Sequence, residues 1–323
     1  MRKPLLTTAL ILLVCTASLA AEAPPGAVLT VTVANETANG QSTVGDEVLI
    51  HIYSDGALAG TRKGQVGDDG TAVFEDLPTG PNVFAVPRAR HQDMMFAGPI
   101  TALEPSQSPF AVRLAVYDVT FDSSVLSVGM HHIMLKAQPG TLEVTEFMQL
   151  VNSSDMAVSS DQRNDHNEPI IVQIMLPEGF KNLQTTSYFE QSDLVVTQDG
   201  FYDTMAVPPG EFPLNFSYSL EIDSPTMEIV KPITLPTSTL VLFADLGQAK
   251  VEGLGEPQSM AAGPGGGAMG YYKLSNLSPG RRVSFRITGL QAGASDSKTW
   301  LVLPLVFAGI FVVVILRMRT GKT

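Results

Sequence analysis

The chain has 323 residues, with 32 acidic against 20 basic side chains, a formal net charge of −12, and one cysteine. An acidic balance of this size repels nucleic acid, which is therefore excluded as a partner. That cysteine is Cys15, inside the N-terminal signal, so the mature chain has none, which excludes a disulfide, a thiolate metal site, a thiol nucleophile and a covalent CxxCH haem attachment. The first residues, Met1-Arg2-Lys3, lead into an apolar run from Leu5 to Val14 and the small-residue stretch Ala17-Ser18-Leu19-Ala20. This three-part pattern predicts a secretory signal over 1–20, cleaved after Ala20. The apolar run is about 15 Å long as a helix, too short for a hydrocarbon core of about 30 Å. Cys15 raises a lipoprotein signal as the alternative, although Val14 is not the small residue such a site wants.

Beyond the signal the sequence reads as strands. Val28-Leu29-Thr30-Val31-Thr32-Val33 alternates apolar and polar residues, as do Val48 to Tyr53, Gly70 to Phe74, Asn82 to Val86 and Ala111 to Val116. Asn39-Gly40, Asp55-Gly56, Asp68-Asp69-Gly70 and Pro78-Thr79-Gly80 separate them. Short strands at this spacing with Gly and Asp turns predict an antiparallel sandwich over 21–116. The segment Gly67-Asp68-Asp69-Gly70-Thr71-Ala72-Val73-Phe74-Glu75-Asp76-Leu77-Pro78-Thr79-Gly80 carries a D-x-x-G turn, an aromatic strand and an L-x-x-G corner. In this it resembles the carboxypeptidase regulatory-like, or prealbumin-like, domain. The resemblance implies a β-sandwich over about ninety residues and an interaction or structural role, since such modules are appended to many proteins.

The period-two pattern continues in Glu143 to Val151, Ile170 to Leu176 and Leu214 to Leu220, predicting a second, Ig-like sandwich over 117–248. Leu77-Pro78-Thr79-Gly80, Val207-Pro208-Pro209-Gly210 and Leu277-Ser278-Pro279-Gly280 each end a strand at a Pro/Gly corner from which an alternating strand returns. Residues 249–291 predict a Gly-rich loop, mobile around Gly263-Pro264-Gly265-Gly266-Gly267, and a hairpin built on Tyr271 to Leu274 and Val283 to Ile287. The segment Asp199-Gly200-Phe201-Tyr202-Asp203-Thr204-Met205-Ala206-Val207-Pro208-Pro209-Gly210, followed by Phe216-Ser217-Tyr218, resembles a signature of bacterial envelope proteins that combine a prealbumin-like domain with a C-terminal span.

After a polar linker over 292–299, Trp300 to Leu316 is an uninterrupted apolar stretch, followed by the basic tail 317–323. Its 17 residues make about 25 Å of helix, at the short end of a membrane span. Trp300 suits the interfacial belt, and Arg317 and Arg319 suit a cytoplasmic flank. The fold expected from the whole chain is thus all-β. It has two tandem antiparallel β-sandwich units, prealbumin-like and Ig-like, plus a C-terminal strand pair and one transmembrane α-helix. The expected place is the cytoplasmic membrane, with the bulk of the chain outside and a short tail inside. The expected partners are the membrane and an envelope protein.

No G-x-S-x-G or H-E-x-x-H motif occurs, and the glycine-rich run Gly263-Pro264-Gly265-Gly266-Gly267-Ala268 is followed by no Gly-Lys-Ser/Thr and opens no helix pattern, so it does not read as a phosphate cradle. The function expected is therefore a non-catalytic module, without a cofactor, that binds or positions a protein or ligand in the envelope. A copper-handling protein is the first alternative, because His131, His132 and the pair His91 with Met94 offer imidazole and thioether donors suited to Cu(I). Adjacent residues on a strand point to opposite faces, so His131 and His132 need a bulge to share an ion. Asp155 to Glu168 offers oxygen ligands for Ca²⁺, without the order of a calcium loop. An envelope hydrolase is the second alternative, with pairs such as Glu143/Glu146 as acid and base.

Overall fold

In the computed structural model the described residues are 26–187, 194–261 and 268–293. They divide into two compact units. The first comprises the chain up to Val119 with Asp155–Ala157, and the second comprises Thr120–Ser154 and the chain from Val158 onward.

Unit 1 contains β1 (Ala27–Asn35), β2 (Glu47–Ser54), β3 (Ala57–Gln65), β4 (Thr71–Leu77), β5 (Val83–His91), β6 (Met94–Ala97), β7 (Thr101–Ala102) and β8 (Phe110–Val116). One sheet has the order β4-β1-β8, and the other has the order β3-β2-β5-β6 with β7 also on β5. Alternation explains the layering: Leu29, Val31 and Val33 from β1 and Val48, Ile50 and Ile52 from β2 are all nearly inaccessible. β1 pairs with β8 in parallel, Leu29 opposite Phe110 through Asn35 opposite Val116.

At the unit boundary β9 (Val119–Thr120) precedes unit 2, which begins with β10 (Leu126–Gln138) and β11 (Thr141–Asn152). Then come β12 (Ala157–Val158), paired with β9, and β13 (Gln173–Met175), β14 (Lys181–Ser187), β15 (Leu194–Thr197), β16 (Gly200–Asp203), β17 (Gly210–Glu221) and β18 (Thr226–Pro232). β19 (Thr237–Asp245), β20 (Lys250–Glu252), β21 (Gln258–Ala261), β22 (Ala268–Leu277) and β23 (Arg282–Thr288) complete it. A seven-stranded sheet, β14-β17-β11-β10-β19-β22-β21, is accompanied by β13-β16-β15 and β18-β23-β20. Leu135, Val144, Leu150 and Leu214 from the large sheet and Ile174, Phe201, Ile229 and Phe285 from the smaller ones form one apolar core.

The architecture corrects the expected fold class in three ways. The pairing is not wholly antiparallel, because β1–β8 and β10–β19 run parallel. The C-terminal strands do not pair with each other: β22 belongs to the large sheet and β23 joins β18 and β20. Finally, the expected transmembrane α-helix is corrected for the described residues, which contain none. Among the described residues the helical elements are two three-residue 3₁₀ turns, Pro105–Gln107 and Ser123–Val125, and no helix is long and apolar enough to cross a membrane.

The physical reason is the period, since apolar residues here recur at every second position and give each segment one buried face. The apolar segment 300–316, with Trp300, Arg317 and Arg319, lies outside the described residues, as do the signal 1–20 and Gly263 to Gly267. The single-pass membrane location, with its outside and inside faces, and the membrane as partner are corrected together with the helix on which they rested.

Candidate functional site

Two clusters of buried ionisable side chains stand out, one in each unit. In unit 1 the inward face of β5 runs through Ala85, Pro87 and Ala89 and ends on His91, which is 2 % exposed. Its Nδ1 lies 2.7 Å from Asp46 Oδ2 and its Nε2 lies 3.1 Å from Asp118 Oδ1. Asn35, the last residue of β1, donates to Asp118 Oδ1 at 2.6 Å and to the Gln41 carbonyl at 2.9 Å. The Gln41 N–H donates to both Asp118 oxygens. Burial raises the Asp118 pKa, but the hydrogen bonds from His91, Asn35 and Gln41 outweigh it and hold the carboxyl below its usual value. Asp46 has fewer such partners, and burial pushes it up. The two carboxylates flank opposite ring nitrogens, so both are committed and one ion cannot touch all three groups. Met94 sits across from His91 in the β5–β6 ladder.

In unit 2 the centre is Glu146, fully buried on the inward face of β11 between Val144 and Met148. His131 of β10 lies with Nε2 2.7 Å from Glu146 Oε2. A carboxylate only accepts, so Nε2 carries the hydrogen and Nδ1 the lone pair. Tyr218 of β17 donates its hydroxyl to Glu146 Oε1 at 2.8 Å. Lys231, reaching across from β18, places Nζ 2.8 Å from each carboxylate oxygen and donates to the Met175 carbonyl at 3.1 Å. The ammonium also stands 5.6 Å from the centroid of the Phe216 ring, within cation–π range.

Burial alone raises the Glu146 pKa, yet the Lys231 charge and the His131 hydrogen bond prevail and bring it to about 2. Burial lowers His131, with Glu146 opposing and Lys231 reinforcing, which favours the neutral ring. Burial and the neighbouring Glu146 charge push Tyr218 well up.

His132 does not join this cluster. A register shift between Val128 and His131 precedes the pair, and His131 then faces the core while His132 faces the other side of the sheet. There its ring meets Phe147 at 6.1 Å and Phe243 edge-on at 5.4 Å. The named metal candidates are thus divided: His91 and Met94 belong to unit 1, and His131 and His132 lie on opposite faces in unit 2. Glu143 is exposed on the strand face opposite Glu146, so those two carboxylates do not meet. The acidic stretch is closed by Asn164, whose Oδ1 accepts from the His166 and Glu168 backbone N–H groups and whose amide donates to Glu168 at 2.9 Å. Among the described residues no group of three or more His, Cys, Asp or Glu side chains is placed to hold a metal ion.

Sequence reasoning did not single out Asp46, Asp118 or Lys231, and it met Tyr218 only as part of the Phe216-Ser217-Tyr218 signature, not as a site residue. For Glu146 a signal existed: a carboxylate in the alternating run Leu142-x-Val144-x-Glu146-x-Met148-x-Leu150 must either break the strand or find partners inside.

No protein-family model matches the chain, and no curated protein matches it. Among solved structures, the chain is similar to the full-length major pilin SpaD from Corynebacterium diphtheriae, at 12% sequence identity over 82% of this chain and 81% of that chain, with a TM-score of 0.21. Overlap at that score carries no argument about fold or function, which rest on the geometry above.

Proposed function

We propose that this chain is a non-catalytic β-sandwich module whose unit 1 takes up an extended protein segment along β3. The carrying observation is β3 itself. Among the described residues it is the outer strand of its sheet, hydrogen-bonded to β2 alone, and no residue from Ala57 to Gln65 is buried. A strand of nine residues with a free side is a template for strand addition, in which main-chain hydrogen bonds supply affinity and alternate side chains supply selectivity. Ala57, Ala59, Gly60 and Gly64 keep the edge low, so another backbone can approach closely, and Leu58 is 56 % exposed. Lys63 is paired with Glu47 of β2, and Arg62 adds a positive charge to the strand in an acidic chain, which suits a segment carrying carboxylates.

The ionisable clusters favour the same reading. Glu146, His131 and Lys231 are spent on one another inside a core, and His91 is spent on two carboxylates. None is presented to solvent as an acid, base or nucleophile that a substrate could reach.

Photo-crosslinking tests the proposal. A crosslinking residue at Leu58 of the full chain, expressed in its native cells, is expected to trap one discrete protein, and Arg62→Glu is expected to weaken the adduct. A crosslinker at Val196, exposed on unit 2, serves as control. Identical adducts at both positions, or none at Leu58, would reject β3 as the docking edge.

A further inference from the structure

The outward face of the β3-β2-β5-β6 sheet divides into an apolar half and a basic half. On β5 the residues that alternate with buried Ala85 and Ala89 are Phe84, Val86, Arg88 and Arg90, so these point away from the core. Phe84 pairs with Tyr53 of β2, which pairs in turn with Leu58 of β3, and the three make one cross-strand row. Phe84 is 37 % exposed and Leu58 56 %, so the row is open to solvent. Further along the same strand Arg88 pairs with Leu49 and Arg90 with Glu47. Phe84 and Arg90 stand about 20 Å apart along β5.

Charge is segregated as sharply. The described Lys and Arg residues of unit 1 are Arg62, Lys63, Arg88, Arg90 and Arg113, and all but Arg113 stand on β3 or β5. Glu47 is the only acidic residue on β2, β3, β5, β6 or β7, and it is held by Lys63. In a chain of net charge −12, a sheet with this excess of cations attracts an anion that the rest of the surface repels. Aromatic residues and Arg are also the types enriched in protein interfaces. A bare polyanion would use the basic half and leave the apolar row uncovered. A second copy of the chain brings its own net negative charge, and two such copies repel each other.

We infer that this sheet face takes the acidic side of a partner protein, whose carboxylates meet Arg88 and Arg90 and whose apolar side chains cover the row Phe84, Tyr53 and Leu58. The class of partner rests on the reading of β3 as a docking edge, because Leu58 belongs both to that edge and to the row. The contact then extends from the edge across β2 to β5.

Binding of short, labelled random copolymers to the full chain, followed by fluorescence anisotropy, tests the face. A copolymer of L-glutamate and L-tyrosine is expected to bind in a salt-sensitive manner, more tightly than poly-L-glutamate and more tightly than polygalacturonate. Arg88→Glu/Arg90→Glu is expected to bind the copolymer at least ~10-fold more weakly, and Phe84→Ala to erase the preference for the copolymer over poly-L-glutamate. Arg113→Glu makes the same kind of charge change on the other sheet and is expected to bind like the unaltered chain. Circular dichroism reports whether each variant keeps its strands. If the double variant does not, Arg90→Glu alone carries the comparison, with a loss of about 3-fold expected. No binding, equal affinity for polygalacturonate, or equal losses in Arg90→Glu and Arg113→Glu would overturn the face. Self-association that Arg90→Glu abolishes would assign it to a second copy and overturn it too. A discrete Leu58 adduct without copolymer binding would leave the β3 edge standing alone. Copolymer binding that Arg90→Glu weakens, without a Leu58 adduct, would support the face and reject the edge.

Discussion

Lys231 spends its ammonium on three acceptors, both oxygens of Glu146 and the Met175 carbonyl, with no water needed. Such a pair contributes little over an apolar replacement of both partners, but removing one partner strands a charge in the core. Lys231→Met is therefore expected to cost about 3–5 kcal/mol, read as a lower urea midpoint. A loss below about 1 kcal/mol would mean that water reaches Glu146.

The same carboxylate sets an acid limit. Its pKa is about 2 in the folded chain against 4.5 unperturbed, so the unfolded chain takes up the proton first. The stabilisation is complete above about pH 4.5 and is lost as pH falls toward 2. Stability is expected to drop through this window by up to about 1.4 kcal/mol per pH unit more than in Glu146→Gln. Equal slopes in the two proteins, from urea melts at pH 5, 4 and 3, would contradict the assignment.

These residue-scale features were only partly legible beforehand. Glu146 shows as a polar intruder on an apolar face, and His91 ends an inward alternation. Asp46, Asp118 and Lys231 do not show, because each lies far along the chain from its partner, and only the folded topology brings them together.

At the level of the element, strands whose sequence alternates were legible: β1, β2, β11 and β17 enclose the runs that predict them. β3 was not, because Ala57-Leu58-Ala59-Gly60-Thr61-Arg62-Lys63-Gly64-Gln65 buries no face and has no apolar period to read. Ile170 to Leu176 is as apolar as a strand, yet only Gln173–Met175 pairs, against β16. That pairing depends on Gly200, which lies opposite Met175 with φ of 145°. A Cβ there would fall 2.0 Å from the Ile174 carbonyl oxygen, so the backbone itself would have to move. Gly200→Ala is expected to cost more than about 2 kcal/mol, in the upper part of the single-substitution range, and to raise amide exchange in β13 and β16. Unchanged exchange there would show that the sheet absorbs the extra carbon.

For the whole molecule, the order of strands governs how quickly structure can form. Leu29 must find Phe110, and Val128 must find Thr237, before either parallel ladder exists. Pairings between segments so far apart demand loop closure before any contact compensates it, and chains of this type fold in milliseconds to seconds or slower. Stopped-flow refolding is expected to show its main phase no faster than milliseconds. A microsecond phase carrying most of the amplitude would contradict the topology. Parallel pairing was illegible in the sequence for the same reason: period two reveals that a strand has an inside, and says nothing about the direction of its neighbour.

The parallel alignment of β1 and β8 also bears on mechanics. The chain enters unit 1 at the start of β1 and leaves β8 at its far end, so tension applied at Gly26 and Tyr117 slides the two strands along each other. All seven matched positions, from Leu29–Phe110 to Asn35–Val116, then carry load together instead of peeling one at a time. A pulled unit 1 is expected to yield in a single abrupt rupture, and anchoring the handles so that β4 is peeled from β1 is expected to lower the rupture force.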